Sequence, residues 1–197
     1  MHSNRSFCQG SVIKQRHKLP VPTPEYQTAP GQRGEGNEIY EGAKAIREYV
    51  ENGGRMLTMG HSCDYAIKTL NIGVKNVVKD LPLSEFNTHG STLHVKVDPK
   101  HPVGYGMPEK ALILHWNGPV FEISDKVNSE KYHTVVRFEK EKLLKSGLLV
   151  GKKMIVGKAA MMITQVGKGE VYLYGFGPQQ RMQTHGTFKL LFNSIYK

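Results

Sequence analysis

The stretch from residue 38 to 70 constrains the fold most, because it places one short apolar strand between two helices. Apolar residues recur at helical spacing over 38–51 and predict an amphipathic helix, which a Gly-Gly pair then ends. The apolar run 55–59 predicts a buried strand, followed by a short helix to about Leu70. Helices on either side of a strand are typical of an α/β fold. The apolar stripe of the first helix consists of Ile39, Ala43, Ile46 and Val50.

The second half of the chain is rich in predicted strands. Gly167-Lys168-Gly169 joins the last two strands and indicates a hairpin. A final helix is predicted from about Thr184 to Tyr196. Its apolar residues at i, i+3, i+4 and i+7 are expected to pack on the sheet, and these are Phe188, Leu191, Phe192 and Ile195. The predicted strands cover 74–78, 92–97, 111–116, 120–123, 133–138, 154–166 and 170–176.

Residues 1–37 differ in composition from the rest of the chain. Prolines and glycines alternate with polar residues there, which predicts a disordered or extended segment. Residues 38–197 are then expected to form one α/β domain. A helix that leads into a buried strand normally follows an earlier strand of the same sheet, and no apolar run before residue 38 supplies one. We therefore expect the domain to lack its first strands.

The net charge of +10 bears on the partners of the protein. A basic chain can bind polyanions, so a basic polyanion-binding module is one alternative function. The lysines are scattered and no basic run is interleaved with aromatic residues, so nucleic acid is not expected as a partner. No apolar run reaches the roughly 18 residues of a membrane span, and no signal peptide is expected.

The sequence GHSCD at residues 60–64 resembles a nucleophile elbow, in which a strand and a helix flank a reactive side chain. Such a turn has the pattern G-x-S-x-G, because backbone crowds both sides of the nucleophile. Gly60 fits the first position, but Asp64 replaces the second glycine and Cys63 lies one residue beyond the elbow position. Asp64 is interpreted as a cap of the short helix. Ser62 and Cys63 therefore stay weak candidates for a nucleophile.

Other candidate chemistry is sparse. A serine or cysteine nucleophile needs a histidine base, and His185 before the last helix is a weak candidate. Gly177 and Arg181 lie between a predicted strand and that helix, where an anion could bind. The sequence has no His-x-x-Glu, His-Glu-x-x-His or Cys-x-x-Cys, so no metal site and no cofactor are expected in this chain.

Five segments together carry a resemblance to a known family. In order they are YVENGGRML at 49–57, GSTL at 90–93, VDPKHPVGYGMP at 97–108, GFGPQQR at 175–181 and THGTFKLLFN at 184–193. This set resembles the C-terminal glutamine-amidotransferase-like domain of secreted zinc carboxypeptidases of the carboxypeptidase A type. The resemblance covers about residues 24–197 and implies a partial flavodoxin-like, glutamine-amidotransferase-like α/β sheet.

The resemblance also implies where the chemistry of such a protein lies. In that metallopeptidase family the zinc and its His-x-x-Glu ligands belong to a separate upstream domain, and the appended domain usually lacks the amidotransferase cysteine. The expected partner is that upstream catalytic domain or a dimer mate. Parents of this type are secreted or periplasmic, and the chain is expected to be a fragment or truncated form.

Two functional hypotheses from different classes follow. The first is a non-catalytic accessory domain of a zinc-carboxypeptidase-like protein, with a structural or binding role. The second is a small hydrolase or amidotransferase-like enzyme that uses Ser62 or Cys63, with His185 as a base.

Overall fold

The computed structural model describes residues 41–125 and 127–196, except the side chains of Glu41 and Arg181. The chain divides into two units, Met1–Gly42 and Ala43–Lys197. Of the first unit only the start of one helix is described. The predictions made for residues 1–37 and for Ile39 therefore lie outside the described residues.

The described chain contains four α-helices and nine strands. The helices are α1 (Glu41–Glu51), α2 (Ser62–Thr69), α3 (Lys152–Ile155) and α4 (Phe188–Tyr196). The first strands are β1 (Arg55–Met59), β2 (Val74–Asn76), β3 (Ser91–Val97), β4 (Lys110–His115) and β5 (Phe121–Ile123). The others are β6 (Tyr132–Phe138), β7 (Leu144–Ser146), β8 (Ala159–Val166) and β9 (Gly169–Tyr174). The predicted α/β class with a β-rich second half is confirmed.

The strands form one sheet in the order β1-β9-β8-β6-β3-β4. The pair β1–β9 is parallel and the other pairs along this path are antiparallel. Beside this path β2 pairs with β5, β5 also pairs with β8, and β7 pairs with β3. Among the described strands, β1 pairs with β9 alone. The parallel pair therefore lies at one edge of the sheet.

Helices pack on both faces of the parallel pair. Val50 of α1 and two residues of α2, Cys63 and Ala66, are buried with Leu173 in one apolar cluster. On the other face Leu190 of α4 belongs to a larger cluster that includes the inner residues of β3, β6 and β8. Because side chains alternate along a strand, adjacent residues of β9 contribute to opposite clusters. This arrangement places Cys63 in the interior.

The predicted strand over 154–166 starts too early. Residues 152–155 form α3, and β8 begins at Ala159. Gly151 and Gly157 adopt positive φ angles of 76° and 72°, and so place turns before and after α3 that an extended strand does not contain. The predicted hairpin is confirmed, because Val166 and Gly169 pair across a two-residue turn.

The predicted packing face of the last helix is also wrong. Leu190 and Ser194 are fully buried in α4, whereas Phe192 and Ile195 are 52% and 53% exposed. The reason is a hydrogen-bonded contact, in which the Tyr174 hydroxyl donates to the Leu190 carbonyl at 3.0 Å and lies 2.6 Å from the Ser194 hydroxyl. Apolar spacing alone could not reveal that a serine faces the sheet.

Candidate functional site

A cleft of about 430 Å³ opens at the carboxyl ends of β1 and β9. Three segments build it: the end of β1, the loop after β4 and the loop after β9. In α/β sheets ligands typically bind outside the carboxyl ends of parallel strands. Its walls are formed by Met59, His61, Trp116, Phe176, Gln179 and Gln180.

The floor of the cleft is backbone, because the segments that meet there carry glycine. A side chain at Gly118 would overlap the carbonyl oxygen of Gly175, and one at Gly175 would overlap the carbonyl oxygen of Pro119. The loop after β4 therefore crosses the end of β9 at contact distance, which only glycine permits. Gly60 and Gly177 complete the floor.

The turn at residues 60–64 does not have the strained conformation of a nucleophile elbow. Gly60 takes the positive φ of 57°, and His61 is already in the right-handed helical region. Neither Ser62 nor Cys63 is among the described non-glycine residues with positive φ. The Ser62 hydroxyl donates to the Met59 carbonyl at 2.8 Å and accepts from the Met59 amide at 3.0 Å, which turns it back toward the strand end.

Cys63 is fully buried beneath this turn. Its thiol donates to the Tyr174 carbonyl at 3.2 Å and accepts from the Thr58 hydroxyl at 3.4 Å. The pKa of the Cys63 thiol is raised to about 12, mainly by burial and in smaller part by the negative charge of Asp64. A thiol in this state forms little thiolate at neutral pH, and thiolate is the reactive form.

Asp64 does not cap α2. The helix begins two residues earlier, with His61 at the N-cap position, so Asp64 lies in the first turn. Its carboxylate accepts hydrogen bonds from the Asn76 side-chain amide at 3.1 and 3.3 Å. The Asn76 side-chain oxygen Oδ1 in turn accepts from the backbone amides of Val78 and Val120. Asp64 therefore links α2 to the end of β2, and its charge also suits a helix N-terminus.

His185 lies in a different depression, of about 520 Å³, beside the start of α4. Its ring contacts Phe188 edge-on, with 5.7 Å between ring centroids. Among the described residues no histidine ring forms a hydrogen bond with Ser62 or Cys63. The structure therefore does not assemble the predicted nucleophile with this base.

The two predicted anion-site residues have different outcomes. Gly177 lines the cleft, next to the Gln180 side chain. The side chain of Arg181 lies outside the described part of the structure. The role of either residue in anion binding stays a prediction.

His115 is a buried polar residue that the sequence pattern did not single out. It is fully buried at the end of β4, between Phe86 and Phe138. Its Nδ1 lies 2.7 Å from the Thr88 hydroxyl, and its Nε2 has no hydrogen-bond partner among the described residues. Burial lowers the pKa of His115 to about 4, so the ring is neutral at physiological pH. The sequence feature that could have identified His115 as buried is its position inside the apolar run of β4.

Trp116 follows His115 and forms one wall of the cleft. It is the single tryptophan of the chain and is 40% exposed. Its ring contacts His89 with 4.2 Å between centroids and an interplanar angle of 59°. Gly90 provides room for this ring, because a side chain there would meet it at 3.3 Å. The sequence pattern places Trp116 at a strand end and indicates no function for it.

No metal centre or membrane span accompanies the cleft in the described chain. Over residues 41–125 and 127–196, no group of three or more His, Cys, Asp and Glu side chains could hold a metal ion. Within the same ranges no helix combines the length and hydropathy that crossing a bilayer requires.

Several solved structures are similar to this chain in fold, although their sequence identity to it is low. No family model matches the chain, and no curated protein matches it in sequence. A cytoplasmic protein of Salmonella typhimurium is similar with a TM-score of 0.48, 15% identity and coverage of 81% of this chain and 61% of that one. A provisionally assigned GMP synthase component of Thermoplasma acidophilum is similar with a TM-score of 0.47 and 11% identity, and the match covers 79% of this chain and 63% of that one. A provisionally assigned ThuA-like protein of Bacteroides uniformis is similar with a TM-score of 0.47 and 14% identity, and the match covers 82% of this chain and 64% of that one. This chain thus spans less than two thirds of the length of each.

Proposed function

We propose that this chain is a non-catalytic α/β accessory domain of a zinc-carboxypeptidase-like protein, and that it binds a ligand in the cleft beside β1 and β9. The observation that carries the non-catalytic part is the state of the turn at 60–64. Its thiol is buried with a raised pKa, and its serine hydroxyl is held by the Met59 backbone. A working nucleophile needs exposure and a neighbouring base. Cys63 lacks the exposure, and Ser62, although exposed, has no histidine hydrogen-bond partner among the described residues.

The binding part of the proposal is supported by the position and construction of the cleft. It lies at the carboxyl ends of the parallel strands, and its volume of about 430 Å³ is within the range of small-molecule sites. Aromatic walls and a few amide groups above a backbone floor are the usual lining of such a site.

The parent protein is proposed from the resemblance of the five sequence segments alone. It predicts that the natural transcript carries, upstream and in frame, a region with His-x-x-Glu and a later histidine. Sequencing the transcript tests this point. An in-frame stop codon directly before the first codon of this chain would contradict a zinc-carboxypeptidase parent.

A serine-directed fluorophosphonate probe tests the absence of catalysis. Folded protein is incubated with the probe, and modified residues are located by mass spectrometry, with an active serine hydrolase as a positive control. We expect no modification of Ser62, because its hydroxyl has no histidine partner among the described residues. Stoichiometric modification of Ser62 that disappears in Ser62→Ala would instead support the hydrolase hypothesis.

A further inference from the structure

We propose that the cleft binds a neutral pyranose ring, which stacks on Trp116 and is hydrogen-bonded by the glutamines of the loop after β9. This inference rests on the proposed binding function and specifies its ligand class. Three features of the cleft support it: the aromatic platform, the polar groups around that platform and the absence of charged side chains among the described residues that line it.

Trp116 is 40% exposed, and its ring is held in position by its neighbours. Its ring is supported by His89 and lies over Gly90. The two residues next to Trp116 in the sequence both form hydrogen bonds with Thr88. The His115 ring contacts the Thr88 hydroxyl at 2.7 Å, and the Asn117 side-chain oxygen accepts from the Thr88 backbone amide at 2.6 Å. The Asn117 amide also donates to the Thr88 hydroxyl. The platform is therefore preorganised, which lowers the entropy lost on binding.

The polar groups of the cleft suit hydroxyl ligands. Gln179 is exposed and Gln180 is half-buried on the wall of the cleft. Each amide offers both donors and acceptors, and His61 adds a ring nitrogen at the rim. A pyranose presents C–H groups on its faces and hydroxyls around its edge, so one face can stack on an aromatic ring while the edge meets amides.

The charge distribution argues for a neutral ligand. Among the described side chains that line the cleft there is no Asp, Glu, Lys or Arg. The charged groups nearby, Asp64, Lys79 and Asp80, line a separate depression of about 240 Å³ on the other side of His61. An ionic ligand in the cleft would lose hydration without gaining an ion pair from these walls.

The single tryptophan provides a direct measurement. The full chain is titrated with four methyl pyranosides, those of glucose, galactose, mannose and N-acetylglucosamine, while Trp116 fluorescence and its quenching by acrylamide are recorded. We expect a saturable change and reduced quenching with at least one of them, in the millimolar range expected for one ring. Sorbitol, which carries similar hydroxyls but no ring face, should leave both signals unchanged.

Two variants locate the binding. Gln180→Ala retains the tryptophan signal and should weaken binding about fivefold, whereas Gln165→Ala, on the exposed end of β8, should bind as the unaltered chain does. Trp116→Ala, followed by calorimetry after its fold is verified by circular dichroism, should lose at least tenfold in affinity. Binding that Trp116→Ala leaves unchanged would overturn the proposal.

The remaining outcomes separate this inference from the proposed function. If no pyranoside produces a saturable change, or if adenosine or phosphate binds instead, the sugar proposal fails. Binding of either at the cleft would still support an accessory binding domain. Cleavage of a bound glycoside that is lost in Ser62→Ala would overturn the non-catalytic function itself.

Discussion

At the scale of single residues, His115 illustrates how the environment sets chemistry. Its Nδ1 faces the Thr88 hydroxyl, while that hydroxyl also lies 3.3 Å from the Asn117 side-chain oxygen Oδ1. If Thr88 donates to Asn117, it accepts from His115 Nδ1–H, and Nε2 is left as an unfilled acceptor. With the proton on Nδ1, the ring has no unpaired buried N–H group, so we infer the Nδ1–H tautomer of His115.

The buried His115 predicts a specific dependence of stability on pH. Its pKa is about 4 in the folded chain against an ordinary value of 6.5, so the unfolded chain binds the proton more tightly. Folding requires His115 to stay neutral, which has no cost above pH 6.5. As the pH falls from 6.5 toward 4, the free energy of unfolding therefore decreases. The loss by pH 4 is about 3 kcal/mol.

Urea unfolding between pH 7.5 and 4 measures this effect, with the pH dependence compared between the unaltered chain and His115→Asn. The variant should lack this part of the pH dependence, whereas His133→Gln, at an exposed position on β6, should retain it. Equal pH dependence in the unaltered chain and His115→Asn would show that another group is responsible.

Gly118 gives a second prediction at this scale. Gly118→Ala should lower the free energy of unfolding by about 3 kcal/mol, because its Cβ would overlap the Gly175 carbonyl and backbone on both sides must move. Gly186→Ala is a matched control, since a Cβ there meets nothing within 4 Å. Denaturant titration of both variants tests the close approach, and equal stabilities would contradict it.

At the scale of elements, α4 is attached to the sheet by hydrogen bonds as well as by the buried side chain of Leu190. The Tyr174 hydroxyl contacts Leu190 and Ser194, and the Arg55 guanidinium donates to the carbonyls of Ser194 and Ile195 at the end of the helix. A cation at a helix C-terminus is favourable because the last carbonyls lack partners in the helix. The outer face of α4 keeps Phe192 and Ile195 exposed.

Tyr174→Phe tests this attachment. We expect the free energy of unfolding to fall by about 1–2 kcal/mol, because the Leu190 carbonyl and the buried Ser194 hydroxyl each lose a partner. Tyr196→Phe should have no effect, since Tyr196 is 84% exposed. Thermal melts followed by circular dichroism measure both, and an unchanged Tyr174→Phe would show that the Tyr174 hydroxyl does not contribute to the attachment of α4.

Elements with a clear period could be predicted from the sequence. Ala43 and Val50 are buried as the α1 stripe requires, and the alternation of Leu93, Val95 and Val97 is buried in β3. The short elements α3 and β7 carry too few residues to show a period. The face of α4 was mispredicted because Ser194 is buried by a tertiary hydrogen bond, which apolar spacing does not encode.

At the scale of the described molecule, the cleft depends on pairing between distant parts of the chain. β1 and β9 are parallel neighbours, with Met59 opposite Tyr174. The loop after β4 comes between them in sequence and brings Trp116 to the same place. The turn at 60–64 could be identified from the sequence, but the meeting of these three segments could not, because no local pattern encodes their contact.

The proposed absence of catalysis depends most on Cys63, the one fully buried residue of the turn at 60–64. The most direct measurement is the rate at which iodoacetamide labels Cys63, followed in increasing urea in a Cys8→Ala chain, where it is the only thiol. We expect negligible labelling of folded protein and an opening free energy equal to that of global unfolding, because Cys63 is fully buried between α2 and the sheet. Rapid labelling without urea, at a rate that rises near neutral pH, would show a reactive thiolate and contradict the account.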